Sequence, residues 1–326
     1  GNAPDIYQVW FHIAQSDIRN GFLMPLDRWL GPNGEKWEGW AHVPELWRRV
    51  ATANGHVYAL PSASVAYYGI VYNKDLVRRA GLDPEHPPET WEAFWQWCQA
   101  LTKPGQRAFG VCEAPWNWLP WLQSAGGSPI IQSRVSRLRG TPVDFPMEAT
   151  QCITEDGEDL SDVEPTWRAA FDSPEALAAA EFLRRLAWAP WIRDPRTGEP
   201  IDLTPEEAEA GYAVRGDLAF HFAPEDVQEG VILKLPLNND PAPFIRGEVA
   251  AMFAGTEAIE RITGEGGLDP EAVGLMPFPA AQSELPRVFQ AHRHFWGISE
   301  GVARRPEAEQ DLVFACLERL ASPTLN

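Results

Sequence analysis

From its first residues the chain alternates short apolar runs with stretches of helical periodicity. Asp5 to Phe11 reads as a strand, and the segment after it as helix ending near Leu30, where Gly31-Pro32-Asn33-Gly34 breaks the pattern. A second helical segment, Pro44 to Ala53, leads through Asn54-Gly55 into Val57 to Leu60, and the near-continuous apolar run from Val65 to Tyr72 predicts a strand buried on both faces. Thr90 is a good N-cap. Trp91, Phe94, Trp95, Cys98 and Leu101 follow it at i, i+3, i+4, i+7 and i+10, one face of a helix, with Trp97 off that stripe. Phe109 to Cys112 predicts a short strand. An aromatic loop with Trp116, Trp118 and Trp121, bounded by Pro115 and Pro120, then runs to Gly126-Gly127.

Ser133 to Val163 has mixed charge and little periodicity and reads as a long loop or insertion. Asp172-Ser173-Pro174 opens a helix carrying Ala176, Ala179, Ala180, Leu183 and Leu186 on one face. A weak internal repeat follows: Pro205-Glu206-Glu207 with Gly211, then Pro224-Glu225-Asp226 with Gly230, each read as a Pro-started acidic helix stub closed by Gly. Val249 to Ala254, Val273 to Met276 and Phe295 to Ile298 are strand-like. The last helix starts at Pro306, turns Val313, Cys316, Leu317 and Leu320 inward, and stops at Ser322-Pro323. Alternating strands and helices without hairpin signals predict parallel sheets with helices on their faces.

Length changes this picture by allowing two domains, since 326 residues at 44% hydrophobic composition suffice for two cores. Charge removes partners: a net charge of -19 and a pI near 4.8 repel nucleic acid and anionic membrane surfaces. No run approaches the ~20 apolar residues of a membrane span. No basic and apolar leader precedes the first strand, so a leader is expected to lie outside the sequence. Cys98, Cys112, Cys152 and Cys316 are too scattered for a metal motif and too few for a disulfide scaffold; Cys98 and Cys316 fall on apolar helix faces and read as small buried hydrophobes. Fifteen Trp against six Tyr point to an aromatic core or to a surface for flat, weakly apolar ligands.

Four stretches in order carry a resemblance. Pro4-Asp5-Ile6 opens a strand that Gly21-Phe22-Leu23-Met24-Pro25-Leu26-Asp27 follows; Gly55-His56-Val57-Tyr58-Ala59-Leu60-Pro61 leads to Tyr72-Asn73-Lys74-Asp75-Leu76, Ala80-Gly81-Leu82 and Pro88-Glu89-Thr90-Trp91. Phe244-Ile245-Arg246-Gly247-Glu248-Val249-Ala250-Ala251-Met252 runs to Gly255, and Val273-Gly274-Leu275-Met276-Pro277 precedes Gly297-Ile298-Ser299. In these stretches the chain resembles the bacterial extracellular solute-binding proteins of family 1, the maltose-binding-protein-like components of carbohydrate ABC importers. The resemblance implies an α/β, two-lobed, periplasmic-binding-protein-like (type II) fold with a hinge of crossing strands near Ala66 to Tyr72 and Val273 to Pro277. Residues 1–66 and 276–326 would form a discontinuous first lobe and 67–275 the second, with an irregular insertion at about 133–163. The family's N-terminal strand, helix and strand and its final helices are expected to lie outside the sequence. It further implies a monomer in the periplasm or outside the cell, with or without a lipid anchor, that closes on a carbohydrate and hands it to ABC permease subunits.

Sugars present C-H faces that stack on aromatic rings and hydroxyl rims that need paired donors and acceptors. The resemblance places ligand contacts at the end of the first strand, Trp10, Phe11 and His12; before the Tyr72 block, Ser64 and Tyr67; in the aromatic loop, Glu113 and Trp116; at the turn after Gly255, Glu257; and ahead of Gly297, His294 and Trp296. Asn73, Lys74 and Asp75 are read as stabilising the strand-to-helix turn, and Trp118 or Trp121 as packing inward.

Catalysis has little visible machinery. No nucleophile elbow, phosphate loop or dinucleotide fingerprint occurs, no cofactor is implied, and His292-x-His294 with His12 lacks a nearby carboxylate or thiolate to complete a metal site. Two alternatives stay open. One is a glycoside hydrolase using Glu113 and Glu257, whose carboxylates would need to stand about 5 Å or 6.5 to 9.5 Å apart. The other is a protein-interaction module with every aromatic in its core.

Overall fold

The structure, a computed structural model, describes residues 3–10, 13–112, 115–147, 149, 151–236 and 240–321, and of residues 38, 46, 63–66, 115 and 116 the backbone alone. It divides into two compact units, residues 1–67, 150–152 and 291–326, and residues 68–149 and 153–290. Residues 276–290, expected in the first lobe, are part of the second unit.

Seven strands form the main sheet pairings: β1 Ile6–Trp10, β2 Ala59–Asn73, β3 Arg107–Cys112, β4 Ile232–Leu235, β5 Val249–Gly255, β6 Val273–Met276 and β7 Gln290–Ile298. In the first unit β1 runs antiparallel to β7, with Ile6 opposite Ile298 and Trp10 opposite His294. Val9, Phe295 and Ile298 face a core shared with Leu26, Leu30, Leu60 and Leu317. The helix expected to run to Leu30 is two, Ala14–Arg19 and Asp27–Leu30, because Gly21 takes φ 69° and ends the first.

In the second unit β5 lies between β2, antiparallel to it, and β3, parallel to it; β4 adds parallel to β3, and β6 antiparallel to β2. The sheet is therefore mixed, not parallel. Every residue of β5 is buried because both faces are covered: Ala250, Ala251 and Phe253 meet the aromatic core, while Val249, Met252 and Ala254 pack with Phe244 and Ile262. Asn73 caps the helix after β2, its Oδ1 accepting from the N–H of Asp75 and Leu76 at 3.0 and 3.1 Å.

Among the described tryptophans, Trp40, Trp91, Trp95, Trp97, Trp121 and Trp191 are buried, and Trp29, Trp37, Trp47, Trp118 and Trp296 pack partly buried against the cores. Trp91 stacks on Phe182 at 4.6 Å, and its Nε1 donates to Ser124 Oγ. Trp97, off the predicted stripe, is buried as well, edge-on to Tyr72.

Three expectations are corrected. Ser133 to Val163 is regular in its first half: Ile130–Val135 pairs antiparallel with Pro142–Pro146, and with Thr166–Ala169 beyond the stretch, while the described residues of 147–163 form no helix or strand. Hairpins do exist. Asn54 and Gly55, at φ 51° and 80°, join Thr52–Ala53 to His56–Val57, and Gly216 helps turn Tyr212–Arg215 into Leu218–His221. The last helix, Glu307–Ala321, buries Gln310, Phe314, Leu317 and Ala321, which leaves Cys316 and Leu320 exposed.

Candidate functional site

Two constellations, one in each unit, gather the polar and aromatic side chains at strand ends. In the first unit β1 stops at Trp10, whose carbonyl accepts from Ile13 N at 3.0 Å. Strand alternation turns Trp10 away from the buried Val9, and the antiparallel register sets it against His294. The two rings meet edge-on, 4.4 Å between centroids and at 90°, so the imidazole props an indole that remains 44% exposed. Tyr67, on β2, is 49% exposed. Trp296 packs instead against the core of its unit. Arg293 reaches across from β7, its Nε donating to the Ser62 carbonyl at 2.9 Å. Burial depresses the pKa of its guanidinium.

In the second unit the parallel strands β3, β4 and β5 bring Cys112, Leu235 and Gly255 to one end of the sheet, the carboxyl end at which open α/β sheets hold ligands. There the helix Thr256–Thr263 starts directly after β5, and Glu257 lies in its first turn. A Cβ at Gly255 would overlap the Glu257 carboxylate, so glycine lets that side chain fold back over the strand end. The Tyr68 hydroxyl donates to Glu257 while its ring stacks on Phe253 at 5.8 Å. Burial, that hydrogen bond and the nearby carboxylate all raise the Tyr68 pKa, so the hydroxyl stays a donor throughout the physiological range.

Beyond β3 the chain turns through Pro115–Trp118 and is pinned by Asn117, whose Nδ2 donates to the Cys112 carbonyl at 2.5 Å and to Cys112 Sγ at 3.2 Å. Trp121 goes to the core; Trp118 lies partly open beside Phe171. Val111, Asn117, Trp118, Leu183, Trp188 and Lys234 border a cavity of about 580 Å³, within the size range of small-molecule sites. Cavities of about 740 and 650 Å³ elsewhere in this unit are bordered by Asp202 and Arg215 and by Arg193 and Arg196, and all four side chains are already engaged in ion pairs or carbonyl bonds.

Of the residues expected from the sequence, Trp10, Tyr67, His294 and Trp296 are in the first unit and Glu257 is in the second. Ser64 lies on β2 and Trp116 in the Pro115–Trp118 turn, with their side chains outside the description; Phe11, His12 and Glu113 fall outside the described residues. Sequence reasoning passed over Tyr68 and Arg293. Tyr68 was hidden by its neighbour: adjacent strand residues face opposite ways, and the sequence does not say which tyrosine meets Glu257. Arg293 sits between two histidines that drew the attention. Among the described residues no three His, Cys, Asp or Glu side chains are grouped to hold a metal ion, and no helix is long and apolar enough to cross a membrane.

The family model described as bacterial extracellular solute-binding protein matches residues 1–313. Among curated relatives, the sn-glycerol-3-phosphate-binding periplasmic protein of Pectobacterium atrosepticum is 30% identical over 127 residues, 38% of this chain and 27% of that protein. Among solved structures, the maltose-bound MalE3 of T. maritima aligns with a TM-score of 0.60 at 20% identity, covering 99% of this chain and 63% of that one. Mycobacterium tuberculosis UgpB in complex with glycerophosphocholine aligns at 0.58 and 18%, covering 100% and 61%. The chain thus spans about three-fifths of these solved proteins and shares their fold.

Proposed function

The chain belongs to the bacterial extracellular solute-binding proteins, and from that premise we propose that it captures a small carbohydrate outside the cytoplasm and delivers it, unaltered, to the permease of an ABC importer. The family match across residues 1–313 carries this reading, because it takes in both constellations. The ligands bound in two similar proteins, maltose in one and glycerophosphocholine in the other, are small and carry hydroxyl groups.

The chemistry of the two strand ends suits such a solute. The exposed face of Trp10, propped by His294, stacks on the C-H face of a sugar ring, and the exposed Tyr67 offers a hydroxyl in the same unit. Glu257 accepts ligand hydroxyls, and Tyr68 holds its carboxylate in place so that less side-chain entropy is lost on binding. Glu113 and Trp116 contribute from the loop after β3, and the protein works as a monomer.

The hydrolase alternative needs a free pair of carboxylates. Glu257 is tied to Tyr68, which supports holding over cleavage. The test is a thermal-shift panel of mono- and oligosaccharides, polyols and amino acids, with chromatography of each solute recovered. A rise in melting temperature with one sugar recovered intact supports the proposal. Shortened sugar in the recovered fraction moves the chain to the hydrolases, and a shift with amino acids alone refutes the carbohydrate assignment.

A further inference from the structure

The cavity of about 580 Å³ in the second unit holds chemistry that the strand-end residues do not use; neither Glu257 nor Tyr68 borders it. One wall is a face of the sheet. Val111 on β3 stands opposite Lys234 on β4, and strand alternation puts Ile232 on the same side as Lys234. The other wall is one face of the helix Pro174–Trp188, where Leu183, Arg184, Ala187 and Trp188 recur at i, i+1, i+4 and i+5. Asn117 and Trp118 border it from the turn after β3.

Two independent observations point to a ligand. Asn117 is only 6% exposed, and its Oδ1 is buried without a hydrogen-bond partner. The amide cannot turn over to mend this, because its Nδ2 is held as a donor by the Cys112 carbonyl. A buried acceptor left unpaired is costly, and the adjoining cavity has room for the missing donor. The second observation is charge. In a chain of 46 acidic and 27 basic residues, the described residues bordering this cavity include Arg184 and Lys234 but no Asp or Glu. The two larger cavities of the same unit are bordered by Glu92, Glu199 and Asp202 and by Glu225 and Asp226. Arg185, the next residue along the helix, is neutralised by Glu92 and Asp202, whereas Arg184 stays exposed at the cavity.

We propose that this cavity is a second ligand site, for an aromatic acid that carries a hydroxyl opposite its carboxylate, as a para-hydroxycinnamate does. The phenol O–H donates to Asn117 Oδ1, the ring lies among Val111, Ile232, Leu183 and Trp118, and the carboxylate meets Arg184 and Lys234. A sugar suits this cavity poorly, since one acceptor among apolar walls leaves most of its hydroxyls unpaired.

Calorimetric titration of the full chain tests the proposal with three ligands: para-hydroxycinnamate, cinnamate, which lacks the donor, and para-hydroxycinnamyl alcohol, which lacks the charge. The hydroxy acid should bind at a single site. Cinnamate should bind roughly tenfold more weakly, the step of one hydrogen bond to a buried acceptor. The alcohol should lose roughly two- to fivefold, a smaller step because Arg184 and Lys234 are solvated. Leu183→Trp, which fills the cavity, should weaken the hydroxy acid by roughly tenfold or more, and Arg184→Gln should bring acid and alcohol closer together. If Leu183→Trp fails to fold, Arg184→Gln, at an exposed position, and the three ligands still decide. Failure of the folded wild type to bind the hydroxy acid overturns the inference. So does cinnamate binding equally well, or folded Leu183→Trp binding unchanged. None of these results bears on the carbohydrate assignment, which the thermal-shift panel tests separately.

Discussion

Trp10 is the residue at which burial and exposure part. Its strand neighbour Val9 is fully buried, whereas 44% of Trp10 stays in solvent with the His294 ring edge-on against it. Trp10→Ala is expected to cost about 1–3 kcal/mol of sugar affinity, the scale of an aromatic hot spot, with an unchanged far-ultraviolet dichroism spectrum. Unchanged affinity would remove it from the site. The same loss is expected for Trp116→Ala. Tyr68→Phe leaves Glu257 without its hydroxyl donor and should lower stability by about 1–2 kcal/mol in urea titration. Since folding raises the Tyr68 pKa, this contribution is complete at neutral pH and fades only as pH climbs beyond the ordinary tyrosine range, so the gap between wild type and Tyr68→Phe should narrow in alkali. At this scale the sequence identified residue types better than directions. Glu257 was legible from the turn after Gly255, but its partner depends on which of Tyr67 and Tyr68 faces it.

Among the elements, the repeat shows how one cap decides a local fold. Thr204 accepts from Glu207 N at 3.2 Å, and Glu207 returns a bond to Thr204 N at 2.9 Å, a reciprocal cap that starts the helix Pro205–Ala210. The second copy has Ala223 at the cap position, without a side-chain acceptor, and makes one 3-10 turn, Pro224–Asp226. Thr204→Ala should cost about 1 kcal/mol. Glu207 is held down to about pH 2, first by its hydrogen bonds from Arg215 and then by the Thr204 backbone N–H. A folded pKa below the unfolded value makes this contribution complete above the ordinary glutamate range and loses it as pH falls toward 2. Glu207→Gln should therefore flatten part of the acid limb of a melting-temperature profile; an unaltered limb would show that the pair contributes nothing. Helices with an N-cap and a periodic face, Trp91–Leu101 and Pro174–Trp188, were legible in the sequence as elements, although Trp97 and Phe182 are buried outside the expected faces and Ala180 is exposed. The sheet Ile130–Val135, Pro142–Pro146 and Thr166–Ala169 was not. Its middle strand buries Gln132 and Arg134 through hydrogen bonds rather than apolar side chains, which defeats a hydrophobic pattern. The final helix misled in the opposite way, with Cys316 and Leu320 apolar but exposed.

For the whole molecule, family order was the informative signal: four stretches in order anticipated the family and the α/β fold. What composition could not apportion was the tryptophan surplus, which proved largely a core of stacked and edge-on rings around Trp91, Trp121 and Phe278. A solute that binds only the folded chain must stabilise it, by about 2.7 kcal/mol at a hundredfold excess over Kd. The measurement that tests the central claim most directly is calorimetric titration of the intact chain with the solute giving the largest thermal shift, the solute being recovered and identified afterwards. The account predicts one intact carbohydrate bound per chain, with affinity weakened by Trp10→Ala and by Glu257→Gln. Binding that neither substitution weakens, or a carbohydrate recovered in fragments, would contradict it.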